Sequence, residues 1–598
     1  MPTLIISEFN IVCTILGGFV LIFGLVSFFV KERLVRPQAN VPFYVICPKI
    51  HKKLAYTRVT NSHDALVIAV LVGIALGPHG ANLIRPLSYA RDNSEESLDA
   101  INLAFSRLVL GVQLVLAGVQ LPKKYLIYEW KSLGLLLGPV MTIMWLVSGT
   151  VVYGIIPGLT YKQGVIVIMY NRIATFINPV SPLQQVQALA IGACITPTDP
   201  ILSNTIVKGK FADKHIPVPL QRIIIAESGA NDGLGYPFLF LALYIYRYAI
   251  LDTQVGHGVS LFFTETMLYT ILLSVAYGTV VGWMAKELLH WASEKKLVDR
   301  ESFLVFAIAL ALFIVGSCGM IGTDDVLACF IAGNVFTLDD WFRLETLDDS
   351  LQPTIDMLLN ITIFLWFGAV APWAEFGNTP SIPVGRLIAM ALLVLVLRRP
   401  PIILLLYKYI PRIENLKEAA FAGYFGPIGV SAIFYLYVTL EFLREAETLP
   451  LSDHDLEGVK TMMTATRLVI WFAVMASVVV HGVTVPVIKL GNQIPMSISR
   501  SVSRVTDNII PGLGGLISRT PSRMRNSVST LSVGGGPSED RHVVPADISA
   551  PLPSIPNPVF NVDVERGGKS LAWDDDNLER GRDRMERATA EDQTLPRM

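Results

Sequence analysis

The motif Thr196-Pro197-Thr198-Asp199-Pro200 places an aspartate between two prolines inside an otherwise apolar segment. Each proline lacks a backbone N–H and clashes with the preceding helical turn, so we expect the helix to unwind here. In a membrane, unwound backbone is tolerated where its carbonyl groups meet other protein or line a cavity. Transporters use such breaks to bind cations. Two roles are therefore open for Asp199, as a cation ligand and as the cap of the following half-helix.

A second polar motif, Glu227-Ser228-Gly229-Ala230-Asn231-Asp232-Gly233, interrupts the next apolar segment. We expect Asp232 near the middle of the bilayer, where an ionisable side chain is costly and marks a functional site by default. Loss of water favours the protonated form of a carboxylate, and a bound cation favours the ionised form. One carboxylate can therefore hold a proton or a cation in turn. That competition is the minimum requirement of a proton/cation exchanger.

The neighbours of Asp232 supply further polar groups. Ser228 precedes it by one helical turn on the same face, and its hydroxyl is a hard oxygen ligand that suits alkali cations. Asn231 can brace the broken helix through its side-chain amide. Glu227 lies on a neighbouring face and needs a countercharge if it is buried.

Two arginines inside a later apolar segment, Arg398 and Arg399, can supply that countercharge. A guanidinium group fits a carboxylate through two parallel hydrogen bonds. Arg399 is the preferred partner of Glu227, and Arg398 is the alternate. The competing interpretation is that one or both arginines extend to the membrane interface.

A second broken helix is predicted in the apolar segment 418–442, which contains Gly423-Tyr424-Phe425-Gly426-Pro427-Ile428-Gly429. Two discontinuous helices in corresponding positions of two halves indicate a transporter site and an inverted repeat. The alternative is a glycine-lined packing contact between helices.

The composition requires a membrane, because 52% of the residues are hydrophobic and only 16% are charged. We predict an all-α polytopic membrane protein with about 13 transmembrane helices. Basic residues recur in every second loop except the acidic loop Asp339–Asp349, and this alternation places the N-terminus outside and the C-terminus in the cytoplasm. The predicted spans are 9–30, 63–84, 101–121, 133–157, 186–206, 222–246, 261–284, 302–321, 325–338, 355–374, 384–406, 418–442 and 466–489.

Two domains follow from the change in composition near residue 490. Residues 1–490 form the transmembrane exchanger domain. Residues 491–598, rich in Ser, Pro, Gly and charged side chains, cannot bury enough apolar surface to fold, so we predict a disordered cytoplasmic tail. Its arginines and serines admit a second interpretation, a basic segment that phosphorylation releases from the inner leaflet.

Three polar residues elsewhere have weaker interpretations. Asp324 and Asp325 are expected at the edge of a loop. His481 lies in the last predicted span, where a buried neutral imidazole with one hydrogen bond is favoured over a pH sensor.

The stretches ITPTDPILSNTIVKGKFADKHIP, IAESGANDGLGYPF, FGPIGVSAIF and VVHGVTVP closely resemble the fungal plasma-membrane alkali-metal cation (sodium)/proton antiporters of the cation/proton antiporter superfamily. The resemblance covers residues 5–490. It implies a homodimer in the plasma membrane, a dimerisation domain and a mobile core domain, and two crossed broken helices. It also implies alternating access, with proton-driven export of Na⁺ or Li⁺, often also K⁺, for salt tolerance and pH homeostasis. No enzyme activity, cofactor or nucleic-acid partner is implied.

The resemblance also assigns roles to single residues. Asp232 becomes the carboxylate that binds a proton or a cation, with Asp199 as its partner acid and Thr198 and Ser228 as oxygen ligands. Na⁺, Li⁺ or K⁺ would therefore bind at Asp232 and Asp199. The supporting residues are Asn231, Glu227, Arg399, Arg398 and Thr196.

One segment, 161–186, departs from the family pattern, which has a shorter link before ALAIGACITPTDP. A retained intron or mis-annotated exon is one explanation, and a genuine external loop is the other.

Two rival functions are open to the same residues. A cation channel would need a filter of carbonyls or rings of charge, and the sequence has no repeated filter motif. An intramembrane aspartyl protease would need Asp199 and Asp232 side by side sharing a proton. Prolines around Asp199 and nearby arginines favour ion binding.

Overall fold

The structure, a computed structural model, describes residues 62–156, 182–207, 216–251, 254–347, 349, 351–380 and 382–493. All regular secondary structure in these ranges is helical, which confirms the predicted all-α class. The predicted first span 9–30, most of the divergent segment 161–186 and nearly all of the predicted tail lie outside the described residues. The proposed domain boundary at residue 490 therefore stays a prediction.

Fifteen helices are numbered here in chain order within the described ranges. They are α1 (Ser62–Leu76), α2 (Glu95–Gln120), α3 (Trp130–Ile155), α4 (Pro182–Cys194), α5 (Pro200–Val207), α6 (Val218–Leu251), α7 (Val255–Glu294), α8 (Arg300–Ile321), α9 (Asp325–Phe336), α10 (Leu351–Val370), α11 (Val384–Leu397), α12 (Pro400–Leu406), α13 (Leu416–Tyr424), α14 (Val430–Glu447) and α15 (Asp453–Gln493).

Eight helical stretches in the described ranges are long and apolar enough to cross a membrane. Each predicted span that falls on described residues coincides with a helix or a pair of half-helices. The total of about 13 is not confirmed. Three predicted spans are divided into the pairs α4/α5, α11/α12 and α13/α14, and α1 ends at Leu76, eight residues before the predicted end at 84. The chain is thus a multi-pass membrane protein with interrupted helices.

Glycines let the helices that hold the polar motifs approach closely. A Cβ atom on Gly192 of α4 would lie 2.6 Å from the backbone nitrogen of Gly149 in α3, so the first broken helix packs directly on its neighbour. On α6, a Cβ on Gly233 would collide with Leu327 of α9. Small residues allow such contacts between membrane helices, where lipid supplies no hydrophobic drive for association.

A buried ion network joins α2 to the last two helices. Asp99 is 4% exposed and accepts hydrogen bonds from Arg444 of α14 and from Arg467 of α15, the latter at 2.8 Å. Asn102, one turn further along α2, donates to the Tyr437 hydroxyl at 3.0 Å. Four of these residues, Asp99, Asn102, Tyr437 and Arg467, line a cavity of about 500 Å³.

Candidate functional site

The two interrupted helices meet at their breaks. Residues 195–199 separate α4 from α5, and residues 425–429 separate α13 from α14. The Asp199 amide of the first break donates to the Pro427 carbonyl of the second at 3.0 Å. Prolines explain both interruptions, because each lacks the N–H that would continue the helix. Pro200 then starts α5, a position at which its missing donor costs nothing.

Asp199 caps two half-helices at once. Its Oδ2 accepts from the Leu202 amide of α5 at 2.8 Å, and its Oδ1 accepts from the Val430 amide of α14 at 2.7 Å. The side chain is fully buried. Helix N-termini carry unpaired N–H groups and partial positive charge, so both ends stabilise the carboxylate. Both Asp199 oxygens therefore already have backbone donors, one from each half-helix.

Gly429 makes this double cap possible. A Cβ atom at that position would lie 2.7 Å from an Asp199 carboxylate oxygen. Only a residue without a side chain lets the backbone of α14 come this close to the aspartate.

Asp232 has the opposite environment. It is fully buried in α6, and neither carboxylate oxygen has a hydrogen-bond partner among the described residues. The side chain of Ser431 in α14 faces it, and the Ser431 hydroxyl is equally unpartnered in this part of the chain. Buried polar atoms without partners are rare and require a functional explanation. A carboxylate and a hydroxyl left open in this way can accept a dehydrated hard cation, or a proton on the carboxylate.

Thr198, Ser228 and Asn231 connect the first break to α6. Asn231 binds Thr198 twice, donating from Nδ2 to the hydroxyl at 2.8 Å and accepting the backbone amide on Oδ1 at 3.2 Å. The Thr198 and Ser228 hydroxyls lie 3.1 Å apart, and Ser228 donates to Ser203 of α5 at 3.1 Å. This network fixes the height of α6 relative to the break, so it sets the distance between the two aspartates.

Glu227 and Arg399 form a buried ion pair. Two parallel hydrogen bonds of 2.5 and 2.7 Å join them, and each side chain is 3% exposed. Arg399 also donates from Nε to the Ala422 carbonyl of α13 at 2.9 Å. The pair ties α6 to the kink between α11 and α12 and neutralises both charges.

The remaining supporting residues bind backbone. Arg398 makes no ion pair with a carboxylate in the described ranges and donates instead to carbonyls of both breaks, including those of Ile195 and Gly426. The Thr196 hydroxyl returns to the Gly192 carbonyl of its own helix at 2.7 Å. Thr196 thus shapes the end of α4 without reaching the aspartates.

Two residues of α15, Ser477 and His481, support the second break. Of the two, only His481 was identified from the sequence. The Ile428 amide donates to the Ser477 hydroxyl at 2.8 Å, and His481, 3% exposed, has Nδ1 3.1 Å from that hydroxyl. His481 Nε2 lies 3.1 Å from the Tyr424 carbonyl. His481 Nδ1 also lies 2.9 Å from the Ser477 carbonyl, so the imidazole has three hydrogen-bonding contacts rather than the expected one.

Asp324 and Asp325 stand where a loop ends and α9 begins, as predicted, and both are buried, with 1% and 2% exposure. Asp324 caps the helix through the Leu327 amide at 3.1 Å, while Asp325 pairs with Arg107 of α2 at 2.9 Å. Helix-capping spacing alone predicts the position of Asp324 and gives no sign of its burial.

Ser431 was also missed in the sequence. It occupies the first turn after the second break, as Ile201 does after the first. The first turn after each break is thus a position at which a side chain can face the site, and Ser431 is the polar residue of the two.

Comparisons with known proteins identify the family of the chain. Residues 54–490 match the family described as sodium/hydrogen exchanger, transmembrane. A probable Na⁺/H⁺ antiporter of Schizosaccharomyces pombe is 33% identical over 84% of this chain and 59% of its own length. Na⁺/H⁺ antiporter 2 of Zygosaccharomyces rouxii is 34% identical over 81% of this chain and 53% of its own length.

The chain therefore spans only between half and three fifths of these relatives' length. Among solved structures, the sodium proton antiporter of Methanocaldococcus jannaschii at pH 8 superposes with a TM-score of 0.46 at 18% identity, over 73% of this chain and 99% of that one.

Proposed function

Since this chain belongs to the sodium/hydrogen exchanger family, we propose that it is a secondary antiporter that exports Na⁺ in exchange for H⁺. One observation supports this most strongly: Asp232 is buried with both carboxylate oxygens unpartnered in the described structure, beside an Asp199 whose oxygens are both bound. The named activities of the fungal relatives point the same way.

The exchange follows from the competition for one carboxylate. A cation entering the site meets the Asp232 oxygens and the Ser431, Ser228 and Thr198 hydroxyls, which together replace part of its hydration shell. Binding of the cation displaces the Asp232 proton, because the ionised carboxylate is needed as a ligand. Protonation on the other side of the membrane releases the cation. Asp199 contributes negative charge to the site without giving up its two backbone donors.

Finer features belong to the same proposal. We expect Li⁺ to share the site, because it is also a hard alkali cation, and K⁺ to enter where the cavity admits its size. Alternating access would move the broken helices and α6 past the rest of the protein. A homodimer in the plasma membrane with the N-terminus outside and the tail in the cytoplasm, and a role in salt tolerance and pH homeostasis, complete the hypothesis.

The geometry disfavours the protease alternative. An aspartyl dyad shares one proton between two facing carboxylates. Both Asp199 oxygens accept backbone N–H groups, so neither oxygen is left free to share a proton with a facing Asp232 carboxylate.

The test is cation efflux from a host that lacks its own exporters, with wild type, Asp232→Asn and the exposed control Asp453→Asn. We expect wild type and the control to expel Na⁺ and permit growth in high salt, and Asp232→Asn to be expressed and inactive. Efflux that persists in Asp232→Asn would refute the shared-carboxylate mechanism. Efflux by wild type that is unaffected by the pH gradient would indicate a channel.

A further inference from the structure

The hydroxyl of Tyr435 on α14 bonds directly to the backbone of Asp232. It donates to the Asp232 carbonyl, and the Gly233 carbonyl lies 3.4 Å from the same hydroxyl oxygen. The Tyr435 side chain is fully buried. In a regular helix each carbonyl accepts from the amide four residues later, so a carbonyl that binds a side chain of another helix indicates a local irregularity.

That irregularity lies immediately after Asp232. Leu234 has a ψ of 3°, whereas a helical residue has a ψ of about −42°, so α6 departs from regular helical geometry there. Pro237 explains the departure, because proline lacks the N–H that would pair with the Gly233 carbonyl. The open carboxylate of the site is therefore carried by the last residues before a kink.

The same face of α14 meets Asp232 at two points. Ser431 and Tyr435 lie one helical turn apart and so share a face. Ser431 faces the Asp232 carboxylate, and Tyr435 holds the carbonyl of that residue. Gly235 makes room for this approach, since an added Cβ would lie 2.7 Å from the Tyr435 hydroxyl oxygen. Both the side chain and the backbone of Asp232 are thus referred to one stretch of α14.

We propose, resting on the antiport function above, that Tyr435 is a positioning residue that fixes the gap between the Asp232 carboxylate and the Ser431 hydroxyl. A cation that enters this gap gives up water molecules, and binding compensates for their loss only if both oxygens reach the cation together. The tyrosine contacts neither the cation nor the proton. It acts through the backbone, by preventing the kink from turning the carboxylate away from α14.

Phenylalanine at position 435 separates the role of the hydroxyl from that of the ring. The Tyr435 ring packs edge to face on Tyr236 of α6, with ring centroids 5.5 Å apart, and Tyr435→Phe keeps that contact. Tyr437→Phe is the matched control, two residues further along the same helix. Tyr437 is 3% exposed, and its hydroxyl accepts from Asn102 of α2 at 3.0 Å, so its removal leaves the kink in α6 untouched.

The test is a double-mutant cycle on the KM for Na⁺, measured as Na⁺/H⁺ exchange in proteoliposomes with Tyr435→Phe, Ser431→Ala and the double variant. We expect each single substitution to raise KM about tenfold, the effect of one weakened oxygen contact to the cation. The double variant should stay within about threefold of either single variant, because both substitutions disrupt the same contact. Turnover at saturating Na⁺ should change by less than about twofold, since the lost contact belongs to binding.

Two further variants complete the design. Tyr437→Phe should have the KM of wild type. Gly235→Ala displaces the Tyr435 hydroxyl while the tyrosine remains, so it should raise KM as Tyr435→Phe does.

Three results would overturn the inference. The first is a wild-type KM in Tyr435→Phe, or in Gly235→Ala where Tyr435→Phe does not fold. The second is a KM in the double variant about a hundredfold above wild type, since additive losses mean two independent contacts. The third is an equal rise of KM in Tyr437→Phe, which would be a general effect of removing a buried hydroxyl from α14. Failure of the proposed function would differ from all three, because wild type itself would then show no Na⁺/H⁺ exchange.

Discussion

The two aspartates of the site should respond oppositely to neutralisation, and the difference can be worked out from their contacts. Asparagine at position 199 retains one acceptor oxygen, so either the Leu202 or the Val430 amide, each within 2.8 Å of the carboxylate, meets an NH₂ group instead. A buried donor without an acceptor costs about 1–3 kcal/mol. Loss of the negative charge at two helix N-termini adds about 1–2 kcal/mol for each end in a buried setting.

Asp199→Asn should therefore lower the free energy of unfolding by about 3–7 kcal/mol. Asp232→Asn breaks no hydrogen bond that the described structure contains and removes the cost of burying a charge. Its stability should lie within about 1 kcal/mol of wild type or above it. The two substitutions are chemically identical, so their difference reports only the environments of the two carboxylates.

The assay is thermal unfolding of purified protein in detergent without Na⁺, followed by tryptophan fluorescence. Asp453→Asn, at an exposed position, gives the baseline for an Asp-to-Asn change. A melting temperature for Asp232→Asn as low as that of Asp199→Asn would refute the reasoning, since it would mean that Asp232 also holds the fold together.

Two further substitutions test the supports of the site. Glu227→Gln leaves the buried Arg399 without a countercharge and should destabilise the protein by about 3–5 kcal/mol, measured by the same thermal unfolding. Combining Glu227→Gln with Arg399→Met removes the unpaired charge and should recover part of that stability. A double variant that is no more stable than Glu227→Gln would argue against the ion pair. Gly429→Ala forces a Cβ to within 2.7 Å of the Asp199 carboxylate and should abolish exchange in proteoliposomes. Its control is Gly134→Ala, where an added Cβ meets nothing within 4 Å, so equal activity of the two alanine variants would contradict the proposed close approach.

Local chemistry explains which parts of the site the sequence could predict. Two prolines around Asp199, and the clustered glycines and proline of 423–429, disfavour a continuous helix, so both interruptions could be predicted from the sequence. A buried carboxylate needs a positively charged partner, so the sequence predicted that Glu227 pairs with an arginine of the apolar segment. In the structure Arg399 forms this ion pair with Glu227.

The rest depends on which groups meet across the fold. Arg398 and Arg399 are adjacent and chemically identical, and only the three-dimensional arrangement directs one to a carboxylate and the other to carbonyls. Likewise, the sequence spacing of Asp199 and Asp232 does not indicate how many hydrogen bonds each accepts. Asp199 accepts two from backbone amides, and Asp232 accepts none within the described residues. The number of spans was also uncertain from sequence, because half-helices are shorter than a membrane is thick.

The most direct test of the central claim is to count protons when Na⁺ binds. Purified protein in weakly buffered detergent solution at a pH where the site is protonated is mixed with NaCl, and the pH change is compared with that of an equal addition of choline chloride. If Asp232 holds either a proton or a cation, wild type releases protons on Na⁺ addition and Asp232→Asn releases none. Proton release of equal size from both proteins, or Na⁺ binding to wild type without any proton release, would contradict the account.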